Sequence, residues 1–149
     1  MSLIEEINAD LKTAMLARDE FATTTLRGLK SAILYEEVAK NKRDAGLSDD
    51  EILAVVAKQV KQRDDAIAIY AGAGDREREQ NEAAEREILA KYLPAPLGDE
   101  NLREVAARII TAGGFTAKDL GRAIGDIKKE VGASADGARI AAVAKELLK

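Results

Sequence analysis

An all-α protein of two helical bodies is predicted by three features of this chain of 149 residues. Apolar residues recur three and four positions apart along nearly the whole length, and no run alternates as a half-buried strand would. Aromatics make up only 3% and Trp is absent, so the core must be assembled from Leu, Ile, Val and Ala, which suits close helix packing. The two prolines, Pro94 and Pro96, stand together where long helical patterns give way to short ones. Proline lacks the N–H a helix needs and pushes the preceding residue out of the α region, so Leu93 and Ala95 are predicted extended. The expected domains are therefore 1–94, with long helices, and 95–149, a small three-helix body.

Each helix has its own local warrant. Ser2 and Glu5 form an S-x-x-E capping box, and Leu3, Ile4, Ile7, Leu11, Ala14 and Met15 give a buried stripe over about residues 3–17. Asp19 can cap a second helix carrying Ala22, Leu26, Leu29, Ile33 and Leu34, which frays in the polar run near Lys42. Ser48 and Glu51 repeat the capping box ahead of Ile52, Val55, Val56, Val60, Ile67 and Tyr70, and Gly72 to Gly74 supply a C-cap. Asp75 opens a fourth helix, charged until Ile88, Leu89, Tyr92 and Leu93. Beyond the prolines, Asp99 is expected to cap a helix with Leu102, Val105, Ala106, Ile109 and Ile110, closed by Gly113-Gly114. Thr116 and Asp119 open the next, with Leu120, Ile124, Ile127 and Val131; Asp136 opens the last, with Ile140, Val143, Ala144 and Leu147.

Composition excludes several chemistries. Without Cys there are no disulfides and no thiolate nucleophile. Without His the commonest general base, zinc ligand and partner of a nucleophilic serine are missing. No basic leader precedes the first helix and no apolar run is long enough to span a membrane, so a cytoplasmic protein is expected. The net charge is −4. The excess of acid lies before the prolines, and the remainder is slightly basic, so any anion-binding surface must be local.

LRGLKSAI at Leu26–Ile33, VAKQVKQRDDAIAIY at Val56–Tyr70, EAAEREILAKYLP at Glu82–Pro94 and DLGRAIGDIKKEVGASADGARI at Asp119–Ile140 together resemble the GatB/YqeY family. The resemblance implies an all-α fold and a small C-terminal domain similar to the tail of the B subunit of glutamine-dependent tRNA amidotransferase. That tail contacts the tRNA and does no chemistry. The family's label, carbon–nitrogen ligase activity with glutamine as amido-N-donor, belongs to that complex. The partner so implied is tRNA or a tRNA-amidotransferase-type complex, with no cofactor, metal or membrane. Two positions depart from the family pattern: Ile124 stands where a Met is common, and Ser134-Ala135 where a basic residue usually precedes ADG. A lost cation there weakens phosphate contact at that turn.

The residues that could carry binding are cationic. Lys118, Arg122, Lys128, Lys129, Arg139 and Lys145 are the best candidates, with Lys118, Arg122 and Lys129 spaced to share one helix face. Gly121 and Gly125 beside them could admit an RNA backbone; as a bland alternative they permit helix-on-helix packing. Lys58, Lys61 and Arg63 with Gln62, and Arg27 with Lys30, form a second group that is equally an ordinary solvated face. Glu82, Glu85 and Glu87 could suggest a metal site, but helical di-metal bundles add His. Lys30 and Ser31 are adjacent and so point about 100° apart, the wrong geometry for a Ser–Lys pair. Tyr92 is expected to pack at the junction with its hydroxyl at the surface. No catalytic residue emerges. The expected function is a non-catalytic RNA-contacting module, with a protein-docking adaptor as the alternative; the oligomeric state is left open.

Overall fold

The structure is a computed structural model that describes residues 1–149. It contains seven α-helices and two short 3-10 turns, and no strand. These are α1 (Leu3–Leu16), α2 (Glu20–Ala39), α3 (Asp49–Ala73), α4 (Arg76–Ala90), α5 (Asp99–Gly113), α6 (Leu120–Val131) and α7 (Gly137–Leu147). The chain divides into two compact units, Met1–Leu93 and Pro94–Lys149.

In the first unit α1 packs on α2 and α3 on α4, and α2 also touches α3 and α4. Both capping boxes form: Ser2 and Ser48 accept from the amides of Glu5 and Glu51, whose carboxylates accept from the serine amides in return. Gly74 ends α3 in the left-handed region at φ 73°, where a side chain would be strained. Ile7, Leu26, Leu29, Ile33, Ile52, Val56, Val60, Leu89 and Tyr92 form the core. Four members of the expected stripes fall outside it: Met15 and Leu34 lie at the rims of their apolar faces and are exposed, and Ile67 and Tyr70, toward the end of α3, are half-buried away from the core. The hydroxyl of Tyr92 is engaged within the unit. It donates to Asp10 Oδ2 at 2.5 Å, and the residue is buried.

In the second unit α5, α6 and α7 pack against one another. Leu102, Ile127 and Ile140 fill the centre, and Ala106, Ala123 and Ala144 are buried with no side chain to keep the helices apart. Gly98 is the N-cap of α5, with no side-chain cap bond, so the expected cap at Asp99 is displaced by one residue. Asp99 instead meets Arg139 of α7 at 2.8 Å. At the other end of the array Leu148 is buried in place of the expected Leu147.

Candidate nucleic-acid interface

The outer face of α6 is assembled by the turn before it. Gly114 ends α5 in the left-handed region at φ 62°, and Phe115 donates its amide back to Ile110. Thr116 then extends and donates its amide to Asp119 Oδ2 at 3.0 Å, which starts the chain into α6 and occupies that carboxylate locally. The Phe115 ring lies over Gly113, where a Cβ would come within 2.7 Å of ring carbons Cε2 and Cζ. Arg122, one turn into α6, places its guanidinium 5.6 Å from the centre of the same ring. Such a cation–π contact steadies a long side chain without neutralising it.

Lys118, Arg122, Lys128 and Lys129 are all exposed, and none forms an ion pair. Of the acidic residues on α6, Glu130 bonds Arg108 of α5, which leaves Asp126 as the one free carboxylate beside four free cations. Lys128 and Lys129 also occupy the last turn of α6, where the helix dipole favours positive charge. Gly121 and Gly125 follow the helix on the side that Lys128 continues. A Cβ at either would meet nothing within 4 Å. The packing explanation for these glycines therefore fails, because they face solvent and no other helix approaches them.

Other candidates are engaged in holding the fold. The Arg139 guanidinium donates to the Leu97 carbonyl at 2.7 Å and to Asp99 at 2.8 Å, stitching α7 to the segment before α5. It thus holds its own unit together. Arg63 on α3 faces Glu85 at 2.9 Å and Glu82 at 3.6 Å across the α3–α4 hairpin, so it too is bound to its own unit. The same pairing engages Glu82 and Glu85, two of the three carboxylates considered for a metal. Lys61 is exposed and unpaired on α3. Lys30 and Ser31 line a shallow groove between α1 and α2, and no hydrogen bond joins them. Ser134 and Ala135, where the family pattern has a cation, turn into the unit: Ala135 is buried and the Ser134 carbonyl accepts from the Leu97 amide at 2.8 Å.

Phe115 is the residue that sequence reasoning passed over. The available signal was its place seven residues before Arg122, between a Gly-Gly stop and a Thr-x-x-Asp start. An aromatic between two such signals has no helix stripe to join, and so is free to support a neighbour.

Comparison with known proteins finds similarity over nearly the whole chain. A family model described as "Yqey-like protein" matches residues 4–148. The altered inheritance of mitochondria protein 41, mitochondrial, of Kluyveromyces lactis is 36% identical over 107 residues, covering 72% of this chain and 56% of the yeast protein. The protein of the same name in Clavispora lusitaniae is 29% identical over 133 residues, covering 87% of this chain and 74% of its own length. The chain thus spans little more than half of the Kluyveromyces relative. The relatives' names correct the expected cytoplasmic location, since they are mitochondrial proteins. That expectation rested on the lack of a basic leader and of a membrane-spanning run, and neither distinguishes the cytoplasm from an organelle interior.

Proposed function

We infer a non-catalytic, RNA-contacting role from the premise that this chain belongs to the YqeY-like protein family. The contact is made by the second unit, through Lys118, Arg122, Lys128 and Lys129, with tRNA as the RNA. The observation that carries this reading is the set of four exposed cations that no carboxylate of their own unit neutralises, around a helix with a bare glycine edge. Exposed cations without internal partners are what phosphate oxygens recognise, and an edge without Cβ atoms lets a sugar–phosphate backbone approach closely. The resemblance to the tail of the tRNA amidotransferase B subunit supports the choice of tRNA. The mitochondrial location of the named relatives fits as well, because mitochondria translate with their own tRNA.

The test is fluorescence anisotropy of labelled tRNA titrated with the protein at several salt concentrations, beside an Arg122→Glu/Lys129→Glu variant. Four phosphate contacts predict a log–log salt slope of about −3 to −4. The variant is expected to bind at least about tenfold more weakly. Absence of saturable binding at low salt sinks this reading. Binding that the variant leaves unchanged moves the site off α6.

A second reading, a protein-docking role, is favoured by one observation in the first unit: Leu34, Tyr35 and Val38 of α2 are large, apolar and exposed.

A further inference from the structure

The outward face of α2 bears a ridge that its own unit leaves uncovered. Leu34 is 40% exposed, Tyr35 76% and Val38 60%. On one side of the ridge lies the α1–α2 groove, about 370 Å³, lined by Asn8, Lys30, Leu34 and Glu37 among others. On the other side lies the α2–α3 groove, about 220 Å³, lined by Tyr35, Val55, Lys58 and Gln62 among others. Single exposed apolar residues are ordinary, but a contiguous ridge between two grooves has the relief of an interface.

Charge selects the occupant. Lys30 lies four residues before Leu34 and Glu37 three after, and neither forms an ion pair within the chain. Arg27, one turn further back, touches only the sulfur of Met15, at 4.0 Å. Beyond Glu37 the charges are already matched, Lys40 with Glu36 and Glu51, and Lys42 with Glu51. The free charges that flank the ridge are therefore positive just before it, at Arg27 and Lys30, and negative just past it, at Glu37, with Lys58 of α3 beside Tyr35 and Glu20 about four turns back. An identical helix laid antiparallel, with its two-fold axis near Leu34, sets Lys30 of each copy against Glu37 of the other. A parallel copy would set like charge over like. Self-complementarity of this kind is what a two-fold interface demands. The ridge also supplies the knob: Tyr35 has no hydrogen-bond partner in its own chain, and in an antiparallel two-fold pair its side of α2 meets the same side of the copy, so the opposing α2–α3 groove offers room for its ring and polar ends in Lys58 and Gln62 for its hydroxyl.

We propose that this face joins two copies of the chain, α2 antiparallel on α2, through the Leu34–Tyr35–Val38 ridge and two Lys30–Glu37 pairs. The proposal does not depend on RNA binding. A helix of 20 residues is about 30 Å long. A contact of that length falls at the lower limit of specific interfaces, about 1,000 Å², so the dimer should form in the micromolar range or above.

Sedimentation velocity from about 1 μM to about 500 μM at low salt tests it. The wild-type mass is expected to rise from one chain toward two and to stop there. Lys30→Glu and Glu37→Lys should each raise the dimer dissociation constant about tenfold or more. The double exchange Lys30→Glu/Glu37→Lys restores the pairing and should return to within about threefold of wild type. Tyr35→Ala should remove the dimer. Circular dichroism checks that every variant keeps its helices. Should a single reversal fail to fold, the double exchange decides the question by its mass. A wild-type protein of one-chain mass throughout overturns the proposal, as does growth past two copies. A dimer that both single reversals leave intact, or that the double exchange fails to restore, overturns it too.

Discussion

Tyr92 donates its hydroxyl to the carboxylate of Asp10 at 2.5 Å, joining the residue just past α4 to the first helix, 82 positions earlier in the chain. The Lys91 ammonium stands 3.0 Å from the same oxygen. The phenol hydrogen bond, and then the lysine, hold Asp10 below the usual carboxylate range against the opposing effect of burial. Burial and the Asp10 charge in turn push the Tyr92 phenol well above its ordinary value.

Tyr92→Phe keeps the ring and removes the bond, and is expected to cost about 1–2 kcal/mol at neutral pH. The difference from wild type should narrow as pH rises past 10.0, the ordinary phenol value. Above that pH the unfolded tyrosine ionises while the folded one resists, so the stabilisation present below it is lost. Urea unfolding of both proteins on either side of that pH measures the gap.

Glu51 gives the opposite sign. The Ser48 amide, and then Lys42, lower its pKa from 4.5 to about 2. A depressed carboxylate stabilises fully above its unfolded value and loses that contribution as pH falls through its folded one. Melting temperatures of wild type and Glu51→Gln should therefore converge between pH 4.5 and about 2.

Gly121→Ala and Gly125→Ala should each stabilise the protein by about 0.5–1 kcal/mol, since alanine favours helix and the space around both is open. If RNA backbone uses that edge, the doubly substituted protein binds tRNA severalfold more weakly while unfolding at higher urea. Unchanged binding would mean that the glycines are no part of the contact.

Gly113→Ala places a methyl group where the Phe115 ring lies and forces the ring outward. The melting temperature should change little, because the ring is only half-buried and can move. The ring resonances of Phe115 and the side-chain signal of Arg122 should both shift in NMR spectra. Unshifted Arg122 signals would show that the ring does not support the guanidinium.

Arg139→Ala should cost about 1–2 kcal/mol by leaving the Leu97 carbonyl and Asp99 without their donor. Lys128→Ala, at a residue with no partner, should leave the urea midpoint unchanged. The pair of variants separates cations that hold the fold from cations available to a ligand.

Local signals made most of the helices legible. Ser2 with Glu5, Ser48 with Glu51, and the glycines at 74 and 114 act within one turn of the chain, and each does what its type dictates. Periodicity located the apolar faces but not their edges, so Met15 and Leu34 keep the spacing of core residues and still end at the rim. Arg18 and Asn41 adopt φ of 57° and 59° after α1 and α2, a strained choice for arginine that composition gave no reason to expect. Partners far apart in sequence were invisible: Asp10 with Tyr92, Arg63 with Glu85, and Arg139 with Leu97 meet only after the helices pack. The basic row on α6 was readable, whereas its steadying by Phe115 and the emptiness around its glycines were not, because both depend on what the other helices leave exposed.

In the second unit Arg103, Arg108 and Arg139 are each joined to a carboxylate, whereas Lys118, Arg122, Lys128 and Lys129 are joined to none. Over evolutionary time the two sets answer to different pressures. Replacing an arginine of the first set is penalised in every descendant that must fold, whatever the protein is used for. The second set forms no ion pair within the chain, so selection for folding holds it only through the weak helix-dipole and ring contacts, and drift would loosen its charges. Persistent basic character at those four positions across relatives would therefore record selection for something outside the chain.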